Sequence, residues 1–313
     1  MMTDKMVEAN GVVIRTESFG DSQGVPLLLI MGATAPGVYW PDRFVSKFVD
    51  RGCFVVRYDN RDTGMTTCVD YSEQPYTLDD MALDAVAVMD AYGFEKAHAA
   101  GASMGGMIAQ IVAAQYPEKT RSLISIMSTT NAPHLPPPTD EAEMRLRNLA
   151  TGEAEADREQ SIRDRGFYPE SMQRHLMAIF KTGDRSRDVA TITAPTLVLH
   201  GADDGLVPPA HGRHTAELIQ GSDFLLIDGM AHNMPEDIIP LLVDEMTGHM
   251  DAVEAGALAT RSLTTSARVD FGKDPIKDLK LFDAAHADPR VGVITLINSA
   301  DFYVASRHFG LED

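Results

Sequence analysis

At 313 residues the chain exceeds a typical domain of roughly 100–200 residues but stays within reach of one large α/β unit. Hydrophobic residues at 44% and charged residues at 23% exclude a disordered, collagen-like or low-complexity chain. Against 27 basic side chains stand 46 acidic ones, a formal net charge of −19 that repels polyanions, so neither nucleic acid nor an anionic membrane is an expected partner.

The first residues, Met1 to Glu8, lack the apolar core of a secretion signal. The longest apolar stretch, Pro26 to Ala33, is far shorter than the ~20 residues that span a bilayer. Cys53 and Cys68 are too few for a disulfide framework and fit a reducing compartment. A cytoplasmic protein is therefore expected.

Strands are predicted at Val12 to Ile14, Val25 to Met31 and Gly52 to Tyr58, the last two apolar enough to be buried on both faces. Phe44, Val45, Phe48 and Val49 lie between them at helical spacing, and Met81 to Tyr92 form a second helix stopped by Gly93. An Ala-rich strand (Lys96 to Ala100), a helix (Met104 to Gln115) and the strand Ser122 to Met127 continue a βαβ rhythm, which implies a mainly parallel central sheet flanked by helices. Residues 131–189 break it with Pro136-Pro137-Pro138 and charged helical sequence, and read as a small helical cap inserted between core segments 1–130 and 190–250. Alternation resumes with Thr196 to His200, a helix near Ala210 to Ile219, the strand Phe224 to Ile227 and a helix from Ile238 to about Met250. Residues 251–313 form a C-terminal extension in which Val291 to Ile297 is a candidate added strand, suited to sheet extension or homodimer formation.

The strongest chemical signal is Gly101-Ala102-Ser103-Met104-Gly105, set between a strand and a helix. A nucleophile elbow needs a serine on a strained turn, with small residues two places before and after it so that strand and helix can approach. The competing readings are a glycine-rich turn without chemistry and a dinucleotide loop, which lacks G-x-G-x-x-G spacing. A serine needs an imidazole to take its proton, and the imidazole needs a carboxylate to fix its tautomer. Both types follow later strands: Asp203 and Asp204 after His200-Gly201, then His232 in Asp228-Gly229-Met230-Ala231-His232. The order Ser, Asp, His is that expected of α/β-hydrolases.

Over roughly residues 8–250 the chain resembles the α/β-hydrolase superfamily. Met31-Gly32-Ala33, Trp40-Pro41, Arg57-Tyr58-Asp59-Asn60-Arg61-Asp62-Thr63-Gly64 and the elbow are similar to the aclacinomycin methylesterase-like carboxylesterase group. The resemblance implies a serine esterase with the triad Ser103, Asp204 and His232, and favours Asp204 over Asp203. It also implies an oxyanion hole from the backbone N–H groups of Ala33 and Met104, and no cofactor or metal. Trp40 and Met234 are candidate pocket residues. Cleavage of a small-molecule carboxylic ester is the expected activity; perhydrolysis, lactone opening, C–C hydrolysis and a receptor role on a hydrolase scaffold are the alternatives. His211 and His214, at i, i+3, are read as a surface pair rather than a metal site, and His98 and His200 as core or supporting histidines. Asp59, Arg61 and Asp62 are read as a structural charge group.

Overall fold

The computed structural model describes residues 2–144 and 171–260. Eight strands form one sheet in the order β1-β2-β4-β3-β5-β6-β7-β8: β1 (Thr3–Ala9), β2 (Val12–Phe19), β3 (Val25–Ile30), β4 (Cys53–Tyr58), β5 (Ala97–Ala102), β6 (Thr120–Ile126), β7 (Thr196–Gly201) and β8 (Asp223–Ile227). β1 and β2 run antiparallel to each other, β2 runs antiparallel to β4, and the remaining neighbours are parallel.

Alternation of side chains along buried strands splits the core into two layers. Leu28, Ile30, Val56 and Ala99 face α2 (Leu78–Ala91) and α3 (Met104–Gln115). Leu27, Leu29, Val55 and Ala100 face α1 (Asp42–Val49) and the last long helix, Ile239–Glu254. Two shorter helices, α4 (Ser171–Thr182) and α5 (Ser186–Val189), precede β7; α6 (Pro209–Leu218) follows it, and the Ile239–Glu254 helix is α7.

From β3 the chain passes through α1 to β4 on one side, whereas β5 pairs with β3 on the other. Connections leave adjacent strand ends in opposite directions there, opening a crevice at the carboxyl ends of β3 and β5. The loops after β3, β5, β7 and β8 carry Ala33, Ser103, Asp204 and His232 to that edge.

The predicted parallel rhythm is present, with differences at its ends. β1 was not anticipated: only Val7 and Ala9 of its seven residues are buried, so it carries little apolar pattern. β2 runs to Phe19, beyond the predicted Ile14, because Arg15 and Glu17 are buried as an ion pair joined by Arg57. α7 continues past Met250 to Glu254, where Glu254 pairs with Arg121. Part of the expected cap, residues 145–170, and the candidate strand Val291 to Ile297 lie outside the described residues. Among the described residues no helix is long and apolar enough to cross a membrane.

Candidate active site

Ser103 forms the turn between β5 and α3 with φ +56° and ψ −122°, a conformation that a side chain rarely tolerates. The surrounding glycines make the turn possible. A Cβ on Gly101 would stand 2.0 Å from the Gly105 carbonyl oxygen, and one on Gly105 would stand 2.1 Å from that of Ile30. The Ser103 N–H donates to the Ile126 carbonyl at 2.9 Å, and the Ser128 hydroxyl donates to the Ser103 carbonyl at 2.8 Å. Because the Gly105 clash is with backbone, a side chain there must push α3 away from β3. Gly105→Ala is therefore expected to destabilise the fold by more than about 2 kcal/mol, read as a lowered denaturant midpoint; an unchanged midpoint would refute the close-approach account.

His232 sits in the loop after β8, which crosses directly over the end of β7. The crossing is close because Gly201 has no side chain: its Cβ would lie 2.1 Å from the Met230 carbonyl oxygen. The Asp203 N–H donates to that same carbonyl at 3.0 Å, tying the two loops together. Neighbouring acids then separate by direction. Asp203 is exposed, whereas Asp204 is buried beneath the histidine.

The structure brings Ser103, His232 and Asp204 into one hydrogen-bonded chain. His232 Nδ1 lies 2.8 Å from Asp204 Oδ2 and its Nε2 lies 3.0 Å from Ser103 Oγ. An ionised carboxylate only accepts, so the proton on His232 is at Nδ1 and Nε2 is free to accept from the serine hydroxyl. Asp204 Oδ1 accepts from the N–H groups of Leu206 at 3.0 Å and Val207 at 2.9 Å, which pins the carboxylate. His200 Nε2 donates to the Val207 carbonyl at 2.7 Å and stands 3.5 Å from Asp204 Oδ2. Burial lowers the pKa of His200, favouring its neutral form.

The loop after β3 passes against the nucleophile: a Cβ on Gly32 would come within 3.1 Å of Ser103 Cβ. Ala33 follows, and Met104 opens α3, where the first N–H groups have no partner inside the helix. Among the described residues the N–H groups of Ala33 and Met104 make no hydrogen bond. The Asn60 amide donates to the Met31 carbonyl at 2.8 Å and anchors the root of this loop to the segment after β4.

Trp40, expected in the pocket, has no exposed surface and stacks on Phe44 at 5.2 Å between ring centroids, so it belongs to the core. Met234 is half-buried near His232 in sequence and packs against the core layer of α1 and α7. His211 is not a surface histidine: it is buried, with Nδ1 2.6 Å from the Thr129 hydroxyl and Nε2 2.8 Å from the Pro136 carbonyl. Both ring nitrogens are engaged, which leaves neither for a metal. Burial pushes its pKa down to about 4. Among the described residues no group of His, Cys, Asp and Glu has the arrangement of a metal site. Asp59, Arg61 and Asp62 are structural: Asp59 accepts from Gly37 and Met65 N–H groups, Arg61 grips Asp84 through two bonds of 2.8 Å, and Asp62 accepts from Val69 N–H and Tyr76. His98 is fully buried beside Ser122, and desolvation lowers its pKa to about 4.

Two supports escaped the sequence reading: Ser128, which holds the elbow carbonyl, and His175 of α4, which is fully buried against the loop after β3. Neither carries a motif.

Residues 25–167 match the alpha/beta hydrolase fold family. The chain is 29% identical over 296 residues to the rhodomycin D methylesterase of Streptomyces sp. (strain C5), covering 80% of this chain and 99% of that protein. A hydrolase from Pseudomonas aeruginosa PA01 superposes with a TM-score of 0.66 at 20% identity, covering 80% of this chain and 98% of that one. An enol-lactonase from Burkholderia xenovorans LB400 gives 0.65 at 20% identity, with 79% and 100% coverage. At that identity the two solved structures speak for the fold alone.

Proposed function

We propose that this chain, an α/β-hydrolase of the esterase type, cleaves a carboxylic ester through an acyl-serine intermediate. The observation that carries the reading is the unbroken hydrogen-bond chain from Ser103 Oγ through His232 to Asp204. As Ser103 Oγ attacks the ester carbonyl, its proton passes to His232 Nε2, and Asp204 stabilises the imidazolium without taking the proton itself. Negative charge on the former carbonyl oxygen is met by the N–H groups of Ala33 and Met104, backbone donors that need not reorganise as the charge develops. His232 then returns its proton to the departing alcohol. Water, deprotonated by the same imidazole, hydrolyses the acyl-enzyme and restores Ser103.

Similarity along nearly the whole of a rhodomycin D methylesterase supports a methyl ester as the substrate class. The alcohol to be expelled is then small, and selectivity rests on the acid side. The two free cysteines and the acidic charge suit a cytoplasmic setting for this chemistry.

A fluorophosphonate probe combined with an ester panel tests the reading. Expected results are covalent labelling of the Ser103 peptide, and turnover of p-nitrophenyl esters and of methyl esters of aromatic acids. Labelling without turnover of any ester would reject the substrate class, and a folded protein with neither would reject the nucleophile.

A further inference from the structure

We propose that His175 is a positioning residue for the oxyanion hole, holding the backbone of Thr34 so that the adjacent Ala33 N–H is aimed at the reacting carbonyl. This rests on the hydrolase reading above and adds a part to it, supplied by α4 from far along the chain.

The His175 side chain is fully buried. Its Nδ1 accepts the Thr34 N–H at 3.0 Å, and its Nε2 lies 2.9 Å from the Arg61 carbonyl oxygen. A ring nitrogen that accepts from an N–H carries no proton, so the hydrogen is on Nε2 and is donated to Arg61. One neutral imidazole thus bridges the loops after β3 and β4. Desolvation favours that neutral form by lowering its pKa.

Thr34 needs such a restraint. Its φ is +63°, in the left-handed region where a β-branched residue is a true outlier. A backbone so placed persists only when its surroundings over-determine it. Asn60 fixes the near end of this loop through the Met31 carbonyl. On the far side His175 accepts from the Thr34 amide, one residue beyond the proposed donor Ala33. Removing His175 costs the buried Thr34 N–H this hydrogen bond and frees the peptide to rotate, carrying Ala33 with it.

The platform beneath His175 is rigid. Neighbouring Arg174 pairs with buried Asp62 at 2.8 Å, Arg61 is clamped by Asp84, and the Thr182 hydroxyl of the same helix accepts the Leu78 N–H at 2.9 Å. Ala178 and Ile179 are buried in the α2/α3 layer of the core. Helix α4 is thereby coupled to the loop that carries the proposed oxyanion donor.

Four variants separate positioning from plain stability, each read for kcat, KM, melting temperature and rate of fluorophosphonate labelling. In His175→Asn the side-chain oxygen stands near the place of Nδ1 and still accepts from Thr34. In His175→Gln the amide reaches Arg61 but leaves the Nδ1 place empty. Thr182→Val removes an anchor of α4 remote from Thr34. Since one oxyanion donor contributes about 10²–10³ in kcat, a misdirected one in His175→Ala should lower kcat and labelling rate by about 10–100-fold with KM within about threefold. Gln should resemble Ala, Asn should stay within about threefold of the unaltered protein, and Thr182→Val should lose melting temperature but not kcat. The proposal is overturned if Ala keeps full kcat, or if Asn and Gln fall equally and in proportion to their melting temperatures. A folded, unaltered protein that neither labels nor hydrolyses esters would instead overturn the hydrolase reading on which this one stands.

Discussion

Ser103→Ala is expected to lower ester turnover by about 10⁴–10⁶-fold while leaving the fold intact. The proposed base and its carboxylate act through an oxygen that alanine lacks, so the contributions of nucleophile, base and acid disappear together rather than in proportion. What is left is the small acceleration from substrate binding and the N–H groups of Ala33 and Met104. Structure at the elbow should survive, because the contacts that hold the turn are made by the Ser103 backbone to Ile126 and Ser128, and only the His232 contact uses the hydroxyl. Alanine also keeps the Cβ that already occupies the strained φ of +56°. Turnover kinetics, fluorophosphonate labelling and thermal melting on the purified variant check this. More than a few per cent of residual hydrolysis, or labelling that moves to another serine, would refute Ser103 as the nucleophile.

Asp204→Asn should lower kcat by about 10⁴-fold, against little change for Asp203→Asn. Asparagine at 204 still has an oxygen for the N–H groups of Leu206 and Val207, so that oxygen turns toward them and the amide NH₂ faces His232. An N–H donor facing Nδ1 selects the wrong tautomer. The ring proton then sits on Nε2, 3.0 Å from Ser103 Oγ, where it blocks acceptance of the serine proton. Asp203 is exposed and its tie to the histidine loop is through the backbone, which the substitution leaves alone. Melting temperatures of both variants should lie close to that of the unaltered chain. If Asp203→Asn were the more damaging, the acid would be Asp203.

The α/β alternation was legible because buried parallel strands such as Leu27 to Ile30 are apolar on both faces, and helices such as α3 pack one long apolar surface. The Ser, Asp, His order was legible for a related reason: strand ends are easily located, and residues just past them gather at one edge of the sheet. The elbow was readable from its glycines, since two backbones approaching that closely permit no side chain. Edges and supports were not. β1 is an exposed, mostly polar strand whose pairing with β2 depends on backbone hydrogen bonds that any residue can make. Trp40 and His211 show the same limit from the other side: a tryptophan suits a pocket or a core, and a histidine at i, i+3 from another suits a surface, until packing buries the first against Phe44 and the second between Thr129 and Pro136.

The sequence by itself therefore determined the parallel α/β architecture and a serine, an acid and a histidine just past the ends of three strands, because periodicity and glycine placement are properties of short segments. The resemblance favoured Asp204 over Asp203, but the physical reason lies in the tertiary structure, since adjacent turn residues differ only in direction and the close crossing at Gly201 sets which one is covered by His232. Only the tertiary structure decided that His175 reaches Thr34, a contact between residues 141 positions apart that no local pattern records. Such contacts depend on where whole elements come to rest, and that is fixed by burial summed over the entire core.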